Sequence, residues 1–260
     1  MCTAIVDIDP AGSHPVLLAG IRDEFHDRSW IPPGRHWPRY PSVIGGQDLQ
    51  ALGTWLAVDP EAVRVATVLN GWGHLAPQAR RLSRGDLPLL FAATGSVHDL
   101  PLERYDPFHL LCATVNEVFV LSWNGEQHTR RVLEPGLHMI VNSGLEGADP
   151  GEGPGVAQMA ARIKYFRPQL DAAARPAPPV KASTQAAWEP WLPLVDGAGL
   201  DGYDERALLV RRELGGRTWG TTSASLVALR RDSSGGEAGV RYDFSADPGN
   251  PEAWTPVIDS

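Results

Sequence analysis

Short β-rich runs separated by tight turns constrain this chain more than any other feature of its sequence. The clearest set is a meander in which His109–Thr114, Val118–Trp123 and Gln127–Val132 follow one another closely. Asn124-Gly125, between the last two runs, is a strong hairpin signal. Strands joined by such short turns pair antiparallel, so we expect an α+β fold with antiparallel sheets rather than an alternating parallel one.

Further elements are predicted on both sides of this meander. Strand-like runs are found at Thr3–Ile8, Val16–Ala19, Thr54–Val58, Val63–Asn70, Thr221–Leu229 and Val240–Phe244. Helical composition is found at Gln78–Leu82, Asp86–Thr94 and Val156–Phe166. We expect a Pro-rich aromatic loop over Trp30–Pro41, a turn over Asp232–Gly239 and a coil tail over Ser245–Ser260.

Length and composition are those of an ordinary globular protein. A chain of 260 residues is long enough to bury a sizeable core without disulfides or metals. We expect one domain over residues 1–260, with a Pro/Ala-rich insert near residues 167–187 that is a loop or poorly ordered.

Charge and residue usage exclude several classes of function. The 23 Lys+Arg against 31 Asp+Glu give a net charge of −8, and no basic run is present, which argues against nucleic-acid and membrane-surface binding. No apolar stretch is long enough to span a bilayer, and the start shows no signal peptide, so we expect a cytoplasmic protein. Its two cysteines and scattered histidines predict neither a disulfide framework nor a metal site. Nothing in the sequence indicates an oligomeric state.

Cys2 is the most informative residue for chemistry. Removal of Met1 would leave Cys2 with a free α-amino group, whose pKa of about 7.7–8.0 lets much of it be neutral near pH 7.5. A neutral amine beside a thiol can take its proton, and the thiolate is the reactive form. The alternative is that cysteine stands at position 2 by accident. Cys112, in an apolar run, is predicted to be a buried core thiol.

A set of segments in order along the chain resembles the NRDE family, which includes the transport-and-Golgi-organisation protein 2 homologues. Met1-Cys2 is followed by Arg22-Asp23-Glu24-Phe25. The other matching segments are Leu52–Leu56, Ala66–Asn70, Leu82–Asp86, Pro135-Gly136 with Val141–Ser143, and Arg217–Ser225. The chain departs from the family pattern at Ile21, where the family has Asn, at Leu52-Gly53, where it has Gly-Gly, and in the Gly/Pro-rich stretch from Gly144 to Gly155.

The resemblance implies a fold and a set of site residues. The NRDE family is similar in layout to N-terminal-nucleophile hydrolases, which have a four-layer αββα sandwich of two antiparallel sheets. On that likeness Cys2 is the nucleophile, and the residues expected around it are Arg22, Asp23, Asn70, Asn142 and Arg217. The two asparagines would donate to the oxyanion formed when a thiolate attacks a carbonyl. Without the resemblance, both asparagines are read as turn residues.

Aromatic residues in the loops could wall an apolar pocket beside this site. The candidates are Trp30, Trp37, Tyr40, Trp55 and Trp72. The alternative is that they cover the core, as loop aromatics often do.

Three functions remain open from the sequence. The first is a cysteine amidohydrolase or acyltransferase acting on a small non-peptide amide or acyl substrate, with no cofactor. The second, which the family resemblance implies, is a non-enzymatic protein that binds and traffics haem, lipid or acyl-CoA, with haem as the possible cofactor. The third is a retained fold with an inactive site.

Overall fold

The computed structural model describes residues 2–231 and 238–259. Its strands, in chain order, are β1 (Thr3–Ile8), β2 (Val16–Phe25), β3 (Trp30–Gly34), β4 (Ile44–Asp48), β5 (Leu56–Asp59), β6 (Arg64–Asn70), β7 (Phe108–Thr114), β8 (Val118–Trp123), β9 (His128–Val132), β10 (Gly136–Val141), β11 (Gly144–Leu145), β12 (Arg211–Leu214), β13 (Arg217–Arg230), β14 (Gly239–Ser245) and β15 (Trp254–Asp259). Its helices are α1 (Asp86–Thr94), α2 (Val156–Ala172), α3 (Thr184–Trp188) and α4 (Leu192–Val195).

The strands form two antiparallel sheets, which confirms the predicted α+β class. The first sheet has the order β11-β10-β1-β2-β13-β14-β15, with β12 also paired to β13. The second sheet is a sequential meander from β3 to β9. Both β1 and β2 are interior strands of the first sheet, so the beginning of β1 is held from two sides.

The layers follow from which faces of the sheets are apolar. Strand β2 is buried over most of its length because both faces are covered. Leu18 faces a core shared with the second sheet, where it joins Leu56 and Leu111. Leu17 faces the opposite way, into a cluster with residues of α2, α3 and α4 such as Phe166. Helix α1 covers the outer face of the second sheet.

Two expected coil segments contain edge strands. The predicted loop over Trp30–Pro41 begins with β3, and the predicted coil tail ends with β15. Each strand carries proline, which lacks a donor and is tolerated at a sheet edge but not in its interior. The prolines predict that both segments lack strands, and both predictions are wrong at β3 and β15.

The helical predictions are confirmed in part. Helix α1 has the predicted bounds, whereas Gln78–Leu82 forms only a 3₁₀ turn at Gln78–Arg80. Helix α2 continues beyond the predicted Phe166 to Ala172, passing through Pro168.

The predicted insert near residues 167–187 includes the end of α2 and most of α3. Between those helices, Arg175 fastens the chain to the first sheet through Asp7 at 3.4 Å and the carbonyl of His14 at 2.7 Å. Most of the turn predicted over Asp232–Gly239 lies outside the described residues. No helix in the described part of the chain is long and apolar enough to cross a bilayer.

Candidate active site

Cys2 lies directly before β1, against the last third of β2. The pairing of Thr3 with Ile21 brings the sulfur of Cys2 close to Asp23. The backbone N–H of Asp23 donates to Cys2 Sγ at 3.4 Å. The Sγ atom also lies 3.6 Å from the carbonyl oxygen of Asp23. Cys2 is half-buried and borders a cavity of about 530 Å³. Burial raises the pKa of the thiol above its ordinary value, so the thiol needs a base to become reactive.

Arg22 is buried and held rigidly at the cavity wall. Its Nη1 donates to Thr222 Oγ1 at 2.8 Å, its Nη2 contacts Asp48 Oδ2 at 3.2 Å, and its guanidinium lies 4.5 Å from the ring centre of Trp55. Thr222 stands at a register shift between β2 and β13, where an extra residue re-aims the strand. Burial lowers the pKa of Arg22, but an arginine remains charged, so it offers a fixed cation near Cys2.

Asp23 is held by the same strand. Thr221 Oγ1 donates to its Oδ1 at 2.6 Å and itself accepts from the backbone N–H of Val210 at 2.9 Å. The relay fixes the direction of the Asp23 carboxylate beside Cys2.

Asp48, which the sequence reasoning missed, connects the cavity's arginines to a loop. Its carboxylate accepts from Arg28 at 2.5 and 3.0 Å in addition to Arg22, and from the backbone N–H groups of Gln50 and Ala51 at 3.0 and 2.8 Å. Although burial raises its pKa, these donors outweigh that effect and the net pKa is lowered. Asp48 therefore remains an anion that pins residues 48–53 along the cavity.

The two predicted asparagines have different positions. Asn70 ends β6 and borders the cavity, and no described residue hydrogen-bonds to its side chain. Asn142 lies behind it, buried, with Nδ2 donating to the carbonyl of Asn70 at 2.6 Å. Asn70 can thus donate to a ligand, whereas Asn142 holds the backbone of Asn70.

Part of the cavity lining comes from residues that the sequence reasoning did not assign to the site. Arg81 pairs with Asp106 at 3.1 Å, and Arg84 donates from Nη1 to the carbonyl of Pro107 at 2.8 Å. Both arginines and Asp106 border the cavity. Arg84 belongs to the segment Leu82–Asp86, whose resemblance to the family was the available signal.

Arg162, on α2, was also missed. It is fully buried behind the start of β1, where Nη1 donates to Thr3 Oγ1 at 2.7 Å and Nε to the carbonyl of Ala207 at 2.8 Å. Burial lowers its pKa, and the nearby Asp23 carboxylate acts in the opposite direction. It ties α2 to the strand that begins after Cys2.

Arg217 is not brought to the thiol. It is exposed at the start of β13, where it pairs with Asp27 at 2.5 Å and lies over the ring of Phe25. It borders a neighbouring cavity that shares Glu24 and Arg28 with the first.

Of the five aromatic residues, Trp55 borders the cavity. Trp30 packs edge-on against Trp55 at 5.7 Å, behind it. Trp37 and Tyr40 pack against the cluster beneath α1, and Trp72 lies against Gly153. For most of this set, the geometry agrees with the alternative that loop aromatics cover the core.

Comparison with known families decides the family. A family model described as Transport and Golgi organisation 2 matches residues 1–175 of the 260. The chain belongs to the Transport and Golgi organisation 2 family. This confirms the NRDE resemblance. A search of curated proteins finds no match.

The family match contains every residue that borders the cavity. That stretch begins before Cys2 and extends past Asp106, Asn142 and Arg162. The hydroxyls of Thr221 and Thr222 lie beyond it. The Transport and Golgi organisation 2 region thus supplies the cavity, and the later part of the chain supplies two side chains that orient Arg22 and Asp23.

Proposed function

We propose that this chain is a cysteine N-terminal-nucleophile amidohydrolase, or an acyltransferase that uses the same intermediate, acting on a small non-peptide acyl substrate. One observation carries the proposal: the sulfur of Cys2 borders a cavity together with Arg22, Asp23 and the unbonded amide of Asn70. Two antiparallel sheets with helices on their outer faces are compatible with the four-layer sandwich of such hydrolases.

Activation begins when removal of Met1 makes the nitrogen of Cys2 a free amine. This amine accepts the thiol proton, which turns the buried thiol into a thiolate and the amine into an ammonium. The Asp23 carboxylate stabilises the ammonium, and the N–H of Asp23 and the Arg22 cation stabilise the thiolate. No histidine is needed as base.

The thiolate then attacks the substrate carbonyl carbon. A carbon–sulfur bond forms, and the carbonyl π electrons move to oxygen, which becomes an oxyanion. The Asn70 amide donates to this oxyanion, and Asn142 keeps Asn70 in position through its backbone carbonyl.

Collapse of the oxyanion breaks the carbon–nitrogen bond of an amide substrate. The leaving amine takes the proton from the Cys2 ammonium, and the acyl group remains on sulfur as a thioester. Attack by water releases a carboxylic acid, whereas attack by another amine or alcohol completes acyl transfer.

The test is intact mass spectrometry after incubation with a panel of acyl amides and acyl thioesters. A chain that begins at Cys2 is expected to gain one acyl group on residue 2. Asn70→Ala should acylate roughly 100- to 1000-fold more slowly, as when one oxyanion donor is lost.

Three matched forms make the test specific. Cys2→Ala and a chain with Met1 retained should show no adduct, whereas Cys112→Ala should behave as the parent because Cys112 is fully buried. Adduct formation with Met1 retained, or none on the processed chain across the panel, would overturn the proposal.

The cavity does not favour the haem alternative. Its lining includes Cys2 as a thiolate ligand but no histidine, and it carries four arginines and four carboxylates. Porphyrin faces would cover these charged groups without replacing their hydration, which is costly. No group of three or more His, Cys, Asp or Glu suited to a metal is found among the described residues.

A further inference from the structure

Most charged side chains of the cavity already have partners of opposite sign. Asp48 contacts both Arg22 and Arg28, and Glu24 lies 3.7 Å from Arg28. Also in the cavity lining, Asp106 contacts Arg81. These pairs shape the wall and leave little net charge for a ligand.

Arg84 is different. Across residues 2–231 and 238–259, no carboxylate lies at ion-pair distance from its guanidinium, which contacts the carbonyl of Pro107. Burial lowers the pKa of Arg84, and Asp106 and the Cys2 thiolate act in the opposite direction. Arg84 is half-buried, so its guanidinium is partly withdrawn from water and still open to an anion that enters the cavity.

The position of Arg84 is fixed by the backbone on either side. The N–H of Thr54 donates to the carbonyl of Gly85 at 3.0 Å, and Gly53 crosses Gly85 so closely that a Cβ on Gly53 would lie 2.6 Å from its backbone. This crossing joins the loop of residues 48–53 to the segment before α1. Arg84 therefore faces the same cavity as Cys2 from a rigid wall.

We propose that Arg84 is the residue that recognises the substrate, and that the substrate is an acyl compound carrying a carboxylate. With Nη1 on Pro107, the guanidinium retains further N–H donors for a carboxylate, and such charge-assisted pairs are strong. The cavity lining carries four arginines and four carboxylates, so a ligand with one negative charge adds the least excess charge. A phosphate dianion would leave an excess of negative charge beside Asp106 and Glu24. This inference rests on the proposed function for the reacting group, and on Arg84 for the anion.

The test compares alkylation of Cys2 by iodoacetate and by iodoacetamide, which differ in one negative charge. In both reactions the thiolate attacks the CH₂ carbon, a carbon–sulfur bond forms and iodide leaves. Rates are read from the mass of the peptide that carries residue 2. We expect Arg84→Gln to slow alkylation by iodoacetate roughly 10-fold more than it slows alkylation by iodoacetamide, because loss of the cation affects the thiolate in both reactions but the carboxylate only in the first. Arg80→Gln, an exposed neighbour outside the cavity, should change neither rate.

Each of the remaining outcomes overturns either the anion site or the proposed function. Equal rates in the parent and Arg84→Gln overturn the anion site and leave the proposed function intact. Equal slowing of both reagents assigns Arg84 to stabilisation of the thiolate and also overturns it. If neither reagent alkylates Cys2 in the folded protein, the proposed function fails.

A second measurement tests the anion site without a reactive thiol. In Cys2→Ala, tryptophan fluorescence follows binding of hexanoate and hexanamide, because Trp55 borders the cavity. Hexanoate binding that is lost in the Cys2→Ala, Arg84→Gln double variant, and retained better with Arg84→Lys, supports the site. Equal binding of hexanoate and hexanamide overturns it, and stronger binding of inorganic phosphate than of hexanoate overturns the carboxylate assignment.

Discussion

Leu52 is strained at the position where the family has the first glycine of a Gly-Gly pair. Its φ is 61°, in the left-handed region, and its side chain is 62% exposed. A non-glycine residue pays roughly 1–2 kcal/mol for this conformation, and little burial offsets it. The loop nevertheless holds because Asp48 accepts hydrogen bonds from its backbone.

Replacing Leu52 by glycine should therefore stabilise the protein. We expect Leu52→Gly to raise the free energy of unfolding by about 1 kcal/mol relative to Leu52→Ala, which removes the same side chain but keeps the strain. Urea unfolding of both variants measures the difference. Equal stability of the two would mean that the backbone at residue 52 is not strained.

The carboxylate of Asp48 makes the free energy of unfolding depend on pH. Asp48→Asn leaves Arg22 and Arg28 without their shared anion and should cost about 3 kcal/mol of unfolding free energy at pH 7. Because the folded pKa of Asp48 is lowered, its contribution is full above the unfolded pKa of about 3.9 and is lost as the pH falls through the folded value.

The gap between parent and Asp48→Asn should accordingly shrink between pH 5 and the acid limit of folding. Urea unfolding at several pH values measures it. A gap that stays constant into acid would contradict the assignment of these ion pairs.

At the scale of elements, the crossing of Gly53 and Gly85 places one cavity wall. Gly53→Ala puts a carbon against the backbone of Gly85, and overpacking of this kind costs about 1–3 kcal/mol. We expect lower stability and, since Arg84 shifts with Gly85, slower alkylation of Cys2 by iodoacetate. Chemical unfolding measures the stability, and mass spectrometry measures the alkylation rate. If neither value changes in Gly53→Ala, the backbone at this crossing moves apart at little cost.

The sequence predicts elements best where local chemistry agrees with the packing. The Asn124-Gly125 hairpin and α1 are such cases, and both have their expected places. Edge strand β3 could not be predicted, because its partner β4 has a Gly-Gly sequence without apolar alternation and the strand itself carries prolines. Pairing between segments, not local propensity, makes this strand.

For the site too, the sequence predicts what depends on neighbouring strands better than what depends on distant loops. The family resemblance predicts Arg22 and Asp23 beside Cys2, and the pairing of β1 with β2 brings them there. Asp48 and Arg84 could not be placed there, because nothing local to either residue shows that two distant loops meet across a cavity. The family resemblance predicts Arg217 there as well, but Trp219 already pairs with Phe25 at the end of β2, so Arg217 lies beyond that end and away from Cys2.

For the molecule as a whole, the part matched by the family lacks strands and helices that pack on it. A chain ending at residue 175 lacks β13, which pairs with β2 along most of its length, and lacks α3 and α4 over the first sheet. We expect it to be unfolded or aggregated by circular dichroism and gel filtration. A chain ending at residue 254 keeps the buried Trp254, loses most of the edge strand β15 and should stay folded. A cooperative, monodisperse 1–175 chain would contradict this dependence.

Placing the thiol at the entrance to an interior strand has a practical consequence. Strand β1 pairs with β10 and β2, and Cys2 borders the cavity, so under the proposed function the amino end of this protein belongs to the reacting groups. A purification tag or fluorescent fusion attached there would prevent Cys2 from having the free α-amino group that the proposed mechanism requires. Such labels belong at the carboxyl end, after the edge strand β15.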